Sequence, residues 1–408
     1  MSRRSGAPAL TEPEPRVRAT MPSMSSARVK VNEERFLLSD QALEELARRL
    51  DWTRLPTGQG AGWEQGVPTD WLRGLLADWQ GFDAGALQRQ FDGLRQFRAD
   101  VEGQGLHVVV AEGRGPDPIP LLLTQGWPGS FLEYLEVLPM LCDPGAQGAD
   151  PADAFTVIVP SLPGYGFSSP PPPSGFTGRQ VAALWHMLMA SGLGYEHYVA
   201  HGSDLGAGVT AWLARDQPGA VRAIHLATPG LAPAPAPRTQ PEEAYAAAVE
   251  TWTAEEGGYA HEHATKPATV GAGLLDSPAG LAAWIGEKVV AWSSTRPDGR
   301  PAFDRELLLS TLTLYWTTGT ITTSLLPYWS YRHNPDAVVP ADDPSPVPTA
   351  VSIFGGERVP FPKPPRELAQ RYYTLTHWAE HPIGGHFPAV AEPDLLARTL
   401  RDVFRGAR

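Results

Sequence analysis

The spacing of apolar positions divides this chain into zones. Between residues 106 and 228, short apolar runs recur at Leu106–Val110, Ile119–Thr124, Phe155–Pro160, Tyr198–Ala200 and Ala223–Ala227, mostly bounded by Gly and Pro. Runs of this length and punctuation predict buried strands. Stretches with helical period, such as Arg179–Ser191 and Ala207–Arg215, alternate with them. That alternation predicts an α/β fold with a doubly wound, mostly parallel sheet. Strand signals return at Val347–Phe354 and Tyr372–Trp378.

Two other zones carry a helical pattern. Ser39 is placed to cap a helix that puts Leu43, Leu46 and Leu50 on one face, and Trp71, Leu72, Leu75, Leu76 and Trp79 form a second amphipathic stretch. Residues 31–105 therefore read as an N-terminal helical arm that packs onto something else. At Pro229 the strand pattern breaks. Ala and Pro alternate from Ala232 to Pro237, a stiff extended linker. Residues 240–333 then turn mostly helical and aromatic. The expected layout is a disordered tail (1–30), the arm (31–105), a first core segment (106–228), a helical cap or lid (229–345) and a second core segment (346–408). No solenoid or propeller repeat is visible.

Composition narrows the functional classes. With 408 residues, 42% hydrophobic and 19% charged, the chain suits one large globular domain with an insertion, or two domains. A net charge of -12 argues against nucleic acid or an anionic membrane as partner. Cys142 is the single cysteine, so one chain builds neither a disulfide framework nor a cysteine zinc cluster. The tail holds Arg3, Arg4, Arg16 and Arg18 without an apolar run long enough for a signal peptide or a membrane span, and Met21 and Met24 are alternative starts. The expectation is a soluble, cytoplasmic protein without a membrane anchor.

The candidate chemistry centres on Tyr198-Val199-Ala200-His201-Gly202-Ser203-Asp204-Leu205-Gly206-Ala207-Gly208. A short strand, a sharp turn and a helix follow one another, and small residues flank Asp204, the layout of a nucleophile elbow. A Gly-Ser-Asp turn alone is also an ordinary solvated turn or helix cap. Partners in a fixed order raise its significance. His386, in Gly385-His386-Phe387, is a candidate general base. Glu357, after the turn Gly355-Gly356, is a candidate acid to orient it, with Asp342, Asp343 and Glu367 as competitors. The order nucleophile, acid, base is that of α/β-hydrolases. Gln125-Gly126-Trp127-Pro128-Gly129-Ser130 directly follows a strand, and the N–H groups of Trp127 and Leu205 are candidate oxyanion-hole donors. A carboxylate nucleophile points to attack on a saturated carbon.

These motifs resemble the microsomal and juvenile-hormone type epoxide hydrolases of the α/β-hydrolase superfamily, over roughly residues 32–405. The resemblance rests on Gly126–Ser130, Pro160-Ser161-Leu162-Pro163-Gly164-Tyr165-Gly166-Phe167-Ser168, Gly202–Gly206 and Gly384–Phe387. Lys266-Pro267, Asp276–Ala283 and Tyr315–Thr320 extend it through the insertion. It implies a helical arm that wraps core and cap, supports Glu357 as the acid, and implies two cap tyrosines that bind the epoxide oxygen. By position within the motifs these fall on Tyr259, upstream of Lys266, and Tyr328, downstream of Tyr315, with Tyr331 and Tyr315 as rivals. It also implies a covalent ester on Asp204, hydrolysed by a water that His386 activates, with no metal or organic cofactor. A small apolar epoxide is the expected substrate, and a homodimer is left open.

Two positions depart from the family's pattern. Gln125 stands where the family usually has His, a side chain expected to support the turn rather than react. Leu205 stands where a Trp is frequent. Leu205 also weakens the enzyme alternative, a haloalkane-type dehalogenase with an Asp nucleophile, which needs a halide donor there. The non-enzyme alternative is a silent relative that binds a small apolar ligand, and it gives no chemical reason for Asp204, Glu357 and His386 to occur together. Trp252, Trp284, Trp292, Trp316 and Trp329 are candidates either to line the pocket or to fill the cap.

Overall fold

The computed structural model describes residues 29–57, 62–232, 236–334 and 337–407. The expected tail therefore falls outside the described residues up to position 28, as do positions 233–235 of the Ala-Pro linker. Nine strands form one sheet in the order β1-β2-β3-β5-β4-β6-β7-β8-β9. They are β1 (Val29–Glu33), β2 (Gln96–Val101), β3 (Gln104–Ala111), β4 (Ile119–Thr124), β5 (Phe155–Pro160), β6 (Tyr198–Ser203), β7 (Val221–Ala227), β8 (Ser345–Gly355) and β9 (Tyr373–Gly384). The pairs from β5 through β4, β6, β7 and β8 to β9 are parallel, and β1, β2 and β3 join antiparallel at one edge. The buried strands match the predicted apolar runs, because strands covered on both faces carry no polar alternation.

The arm differs from expectation. Residues 31–105 were predicted helical, yet the segment enters through β1 and leaves through β2, and Val29 and Lys30, expected in the tail, belong to β1. Charged and polar residues alternate with apolar ones along these two strands (Lys30, Asn32, Arg98, Asp100), as the end of a sheet with one face toward water requires, so no apolar run marks them. Between them lie α1 (Asp40–Asp51), α2 (Thr69–Gln80) and α3 (Ala84–Asp92). The Ser39 hydroxyl does cap α1, accepting the Ala42 N–H. Leu72, Leu75, Leu76 and Trp79 form the buried face of α2.

After α4 (Leu138–Cys142), helices α5 (Gly178–Met187) and α6 (Leu205–Asp216) pack together against the sheet. A full capping box between Thr177 and Gln180 starts α5, which ends early in a π-turn at Leu188–Gly192. Between β7 and β8 run α7 (Gln240–Glu256), α8 (Gly258–Thr265), α9 (Pro267–Asp276), α10 (Pro278–Trp292), α11 (Arg305–Thr318), α12 (Ile321–Ser324) and α13 (Leu326–His333). Short helices α14 (Arg366–Ala369) and α15 (Pro388–Ala391) and the terminal α16 (Pro393–Phe404) complete the chain. Helices α1–α3 pack against α10 and α11. Tryptophan N–H groups pin this contact: Trp79 Nε1 donates to Thr313 Oγ1 at 2.9 Å, and Trp316 Nε1 to the Ala42 carbonyl at 3.0 Å. The site forms where the C-terminal ends of β4 and β6 meet α8 and α13.

Candidate active site

Asp204 sits between β6 and α6 at φ 51° and ψ -125°, a backbone region that non-glycine residues avoid. Such a conformation costs about 1–3 kcal/mol and persists only where its surroundings enforce it. The neighbours do so by close approach. A Cβ on Gly206 would lie 2.0 Å from the Thr124 carbonyl oxygen, and one on Gly126 would lie 2.0 Å from Asp204 Oδ1. Glycine at both positions lets the β4 turn and the elbow touch. Across that contact the Trp127 N–H donates to Asp204 Oδ1 at 2.9 Å. The Trp127–Pro128 peptide is cis.

The other carboxylate oxygen faces His386, with Nε2 to Oδ2 at 3.4 Å. The imidazole is held by backbone and by rings. The His386 N–H donates to the Trp292 carbonyl at 3.0 Å, and the ring stacks on Phe361 and leans on Trp292, both at 5.0 Å. The structure thus brings Asp204, His386 and the Trp127 N–H together. Leu205 opens α6 and lines the adjoining cavity.

Glu357 arrives differently from expectation. It is buried, but its carboxylate pairs with Lys363 Nζ, and among the described residues no hydrogen bond joins it to His386. Burial pulls the Lys363 pKa down. The two loops are nonetheless tied. Gly385 N–H donates to the Gly355 carbonyl at 2.8 Å, and Glu357 bridges to Ser294 on the segment that binds His386. The competing acids are engaged elsewhere: Asp342 with Arg371 and Arg238, Asp343 with Arg215, and Glu367 with the Thr239 hydroxyl.

Tyr259 on α8 and Tyr328 on α13 meet over the elbow with ring centroids 5.9 Å apart. Tyr259 stacks on Trp127 at 5.4 Å and 13°. Burial raises both phenol pKa values, and the Asp204 carboxylate pushes them further up. The rivals lie elsewhere: the Tyr315 hydroxyl donates to the Gly129 carbonyl at 3.2 Å, and Tyr331 is half exposed at the cavity margin. A cavity of about 810 Å³ opens beside these groups, lined by Asp204, His386, Tyr259, Tyr328, Trp212 and Phe361 among others. Its size suits a bulky organic molecule. Of the tryptophans proposed for it, Trp252 lines the cavity; Trp292 and Trp316 are buried outside it, Trp284 bonds to His263, and Trp329 stacks on His333.

Two buried groups lie beneath the turn, and one of them, Glu133, carries no sequence signal. Glu133 lies against Gly129, and burial together with the nearby Asp204 charge raises its pKa to about 8, which favours its protonated form. Gln125 is fully buried with neither atom of its amide hydrogen-bonded among the described residues. Its expected support of the turn therefore does not come from a side-chain hydrogen bond. The Thr124 hydroxyl, which accepts Trp185 Nε1 at 3.1 Å, anchors the strand end instead.

The mostly parallel sheet, the elbow after β6 and the helices between β7 and β8 define an α/β-hydrolase, and the family model for the alpha/beta hydrolase fold matches residues 119–273. The model for the epoxide hydrolase N terminus matches residues 31–134. Epoxide hydrolase 1 of Oryctolagus cuniculus is 31% identical, over 89% of this chain and 86% of its own. Juvenile hormone epoxide hydrolase 2 of Ctenocephalides felis is 32% identical, over 90% of this chain and 83% of its own. The structure of Aspergillus niger epoxide hydrolase superposes with a TM-score of 0.79 at 26% identity, covering 92% of this chain and 96% of that one. The chain belongs to the epoxide hydrolases. Among the described residues no helix is long and apolar enough to cross a membrane.

Proposed function

We propose that this enzyme opens apolar epoxides through a covalent ester on Asp204 and releases vicinal diols. The observation that carries the reading is the division of labour at the Asp204 carboxylate. Oδ1 accepts the Trp127 N–H at 2.9 Å, while Oδ2 faces His386, and both Asp204 and His386 line the cavity. The oxygen already in the hydrogen-bonding turn is the one on which negative charge develops when the ester is later attacked, so the hole is formed before substrate binds.

In the first half-reaction the Tyr259 and Tyr328 hydroxyls bind the epoxide oxygen. Asp204 Oδ2 forms a bond to one ring carbon from the side opposite the breaking C–O bond. The electron pair of that bond stays on the epoxide oxygen, which takes a proton from a tyrosine. Ring strain drives this step. In the second half-reaction His386 Nε2 removes a proton from water, and the hydroxide attacks the ester carbonyl. Trp127 and Leu205 N–H groups hold the oxyanion, and collapse frees the diol and the Asp204 carboxylate. The proton on His386 restores the tyrosine through solvent. Glu357 stabilises the imidazolium in this reading, which the shared Trp292–Ser294 support of the two loops favours.

Replacing His386 by Gln separates the halves. With styrene oxide the variant accumulates an adduct of substrate mass on the peptide containing Asp204, and turnover stops. A folded His386→Gln protein that gains no mass there refutes the ester route. Release of chloride from a chloroalkane, with no diol from a varied epoxide panel, points instead to dehalogenation.

A further inference from the structure

The helix α10 carries a buried cation that the steps above do not use. Lys288 is only 8% exposed, and its ammonium lies 4.9 Å from the centroid of the Tyr259 ring and 5.9 Å from that of Trp292. Its ion-pair partner is its neighbour Glu287, at 2.6 Å. A buried ammonium is expensive to desolvate, and an apolar side chain would pack equally well under an aromatic cluster. A cation against the face of one particular phenol therefore calls for a reason beyond packing.

The groups that face Tyr259 set its chemistry. Asp204 approaches from the elbow, Tyr328 hydrogen-bonds to it from α13, and Glu287 and Lys288 face it from α10. His263, on the same helix as Tyr259, packs edge-on at 5.5 Å and is held neutral by burial, with Trp284 Nε1 donating to its Nε2 at 3.0 Å. Burial, Asp204 and Glu287 all oppose negative charge on the Tyr259 oxygen. Lys288 is positioned to favour it, since a cation over an aromatic face is attracted more strongly as charge builds in the ring.

We propose that Lys288 is a positioning and tuning residue for ring opening, its ammonium making Tyr259 the stronger hydrogen-bond and proton donor to the epoxide oxygen. This rests on the reading of Tyr259 as that donor. In the step, the Asp204 Oδ2–carbon bond forms as the ring C–O bond breaks, and the Tyr259 proton moves to the freed oxygen. The phenolate left behind is stabilised through its ring by Lys288 until the proton from His386 returns.

Single-turnover kinetics with styrene oxide test this, because they resolve ester formation from ester hydrolysis. Lys288→Met slows ester formation about ten-fold, from the size of a desolvated cation–π contact, and leaves ester hydrolysis unchanged. Lys288→Arg, which keeps a cation over the ring, restores most of the rate. Glu287→Gln, which leaves the ammonium uncompensated, speeds ester formation, an opposite sign that loss of packing cannot produce. In a Tyr259→Phe background Lys288→Met adds no further loss. Equal losses in both backgrounds, or unchanged ester formation in well-folded Lys288→Met, overturn the proposal. If Lys288→Met fails to fold, Glu287→Gln and Lys288→Arg decide: a slower Glu287→Gln enzyme overturns it. A Tyr259→Phe enzyme that forms ester at the wild-type rate identifies the donor reading itself as the failure.

Discussion

The two sides of the cavity are built by different means. On the sheet side, Asp204 and the Trp127 N–H are fixed by main chain: the strained elbow, the contact of Gly206 with Thr124 and the turn after β4. On the helical side, Tyr259 and Tyr328 are fixed by side-chain packing against Trp127, His263 and each other. Main-chain contacts at van der Waals limits admit no added atom, whereas ring packing survives the loss of one hydroxyl. The sheet side should therefore fail as structure and the helical side as chemistry. Proteins concentrate strain where geometry must not drift. Here that place is Asp204, while the Tyr259 and Tyr328 rings across the cavity are held by softer contacts.

The largest expected effect breaks the sheet side. Gly206→Ala places a methyl against the Thr124 carbonyl, which belongs to a buried strand end and has nowhere to move. Destabilisation of more than about 4 kcal/mol, or an elbow displaced enough to abolish ester formation, is expected. Urea denaturation and adduct mass measure the two outcomes. Wild-type stability together with normal ester formation contradicts the account of the elbow.

Next in size is the helical side. Tyr259→Phe and Tyr328→Phe should each slow ester formation by about 100-fold, the usual size of one lost transition-state donor. Ester hydrolysis and thermal midpoint should hardly move, since only one hydroxyl is removed. A Tyr→Phe variant that lowers the thermal midpoint as severely as Gly206→Ala does erases the distinction between the two sides.

Legibility in the sequence follows the same division. The central strands and the elbow were readable because buried main chain imposes local rules: apolar runs, and small residues at close approach. Strands β1 and β2 were not, since the end of a sheet with one face in water alternates charged with apolar residues and shows no apolar run. Asp204 and His386 stand in motifs, and the structure brings them together. Only the family resemblance points to Tyr259 and Tyr328, because a helix full of aromatics does not declare which ring faces a cavity. The Lys363 partner of Glu357, the Glu133 carboxyl and the Lys288 cation depend on tertiary contact alone, and no spacing announces them.

Buried titratable groups add a smaller, pH-dependent difference. Burial lowers the pKa of His107 to about 3, of His201 to about 4 and of His263 to about 3. Each is neutral in the fold but takes up a proton in the unfolded chain near pH 6.5. Their stabilising effect is thus complete above pH 6.5 and is lost as pH falls toward 3, by up to about 1.4 kcal/mol per pH unit for each group. Glu133 has the opposite sign. With its pKa raised to about 8, it favours the fold below the ordinary carboxyl range and loses that contribution as pH rises to 8. Urea midpoints between pH 4 and 9 should show both slopes. Glu133→Gln should flatten the alkaline one and leave the acid one in place.

The smallest effect concerns the one polar side chain under the turn that the main-chain account leaves idle. Gln125 is fully buried, and its amide oxygen and nitrogen have no hydrogen-bond partner among the described residues. A buried polar group without a partner weakens folding by about 1–3 kcal/mol relative to an apolar group of the same shape. Gln125→Leu removes the polar atoms for one heavy atom less, so the thermal midpoint should rise by a few degrees, with ester formation within about two-fold of wild type. The Trp127 N–H contact to Asp204 is made by main chain and survives the change. A lower midpoint, or loss of ester formation, shows instead that the Gln125 amide holds an ordered water or the turn itself, and that the sheet side depends on a side chain after all.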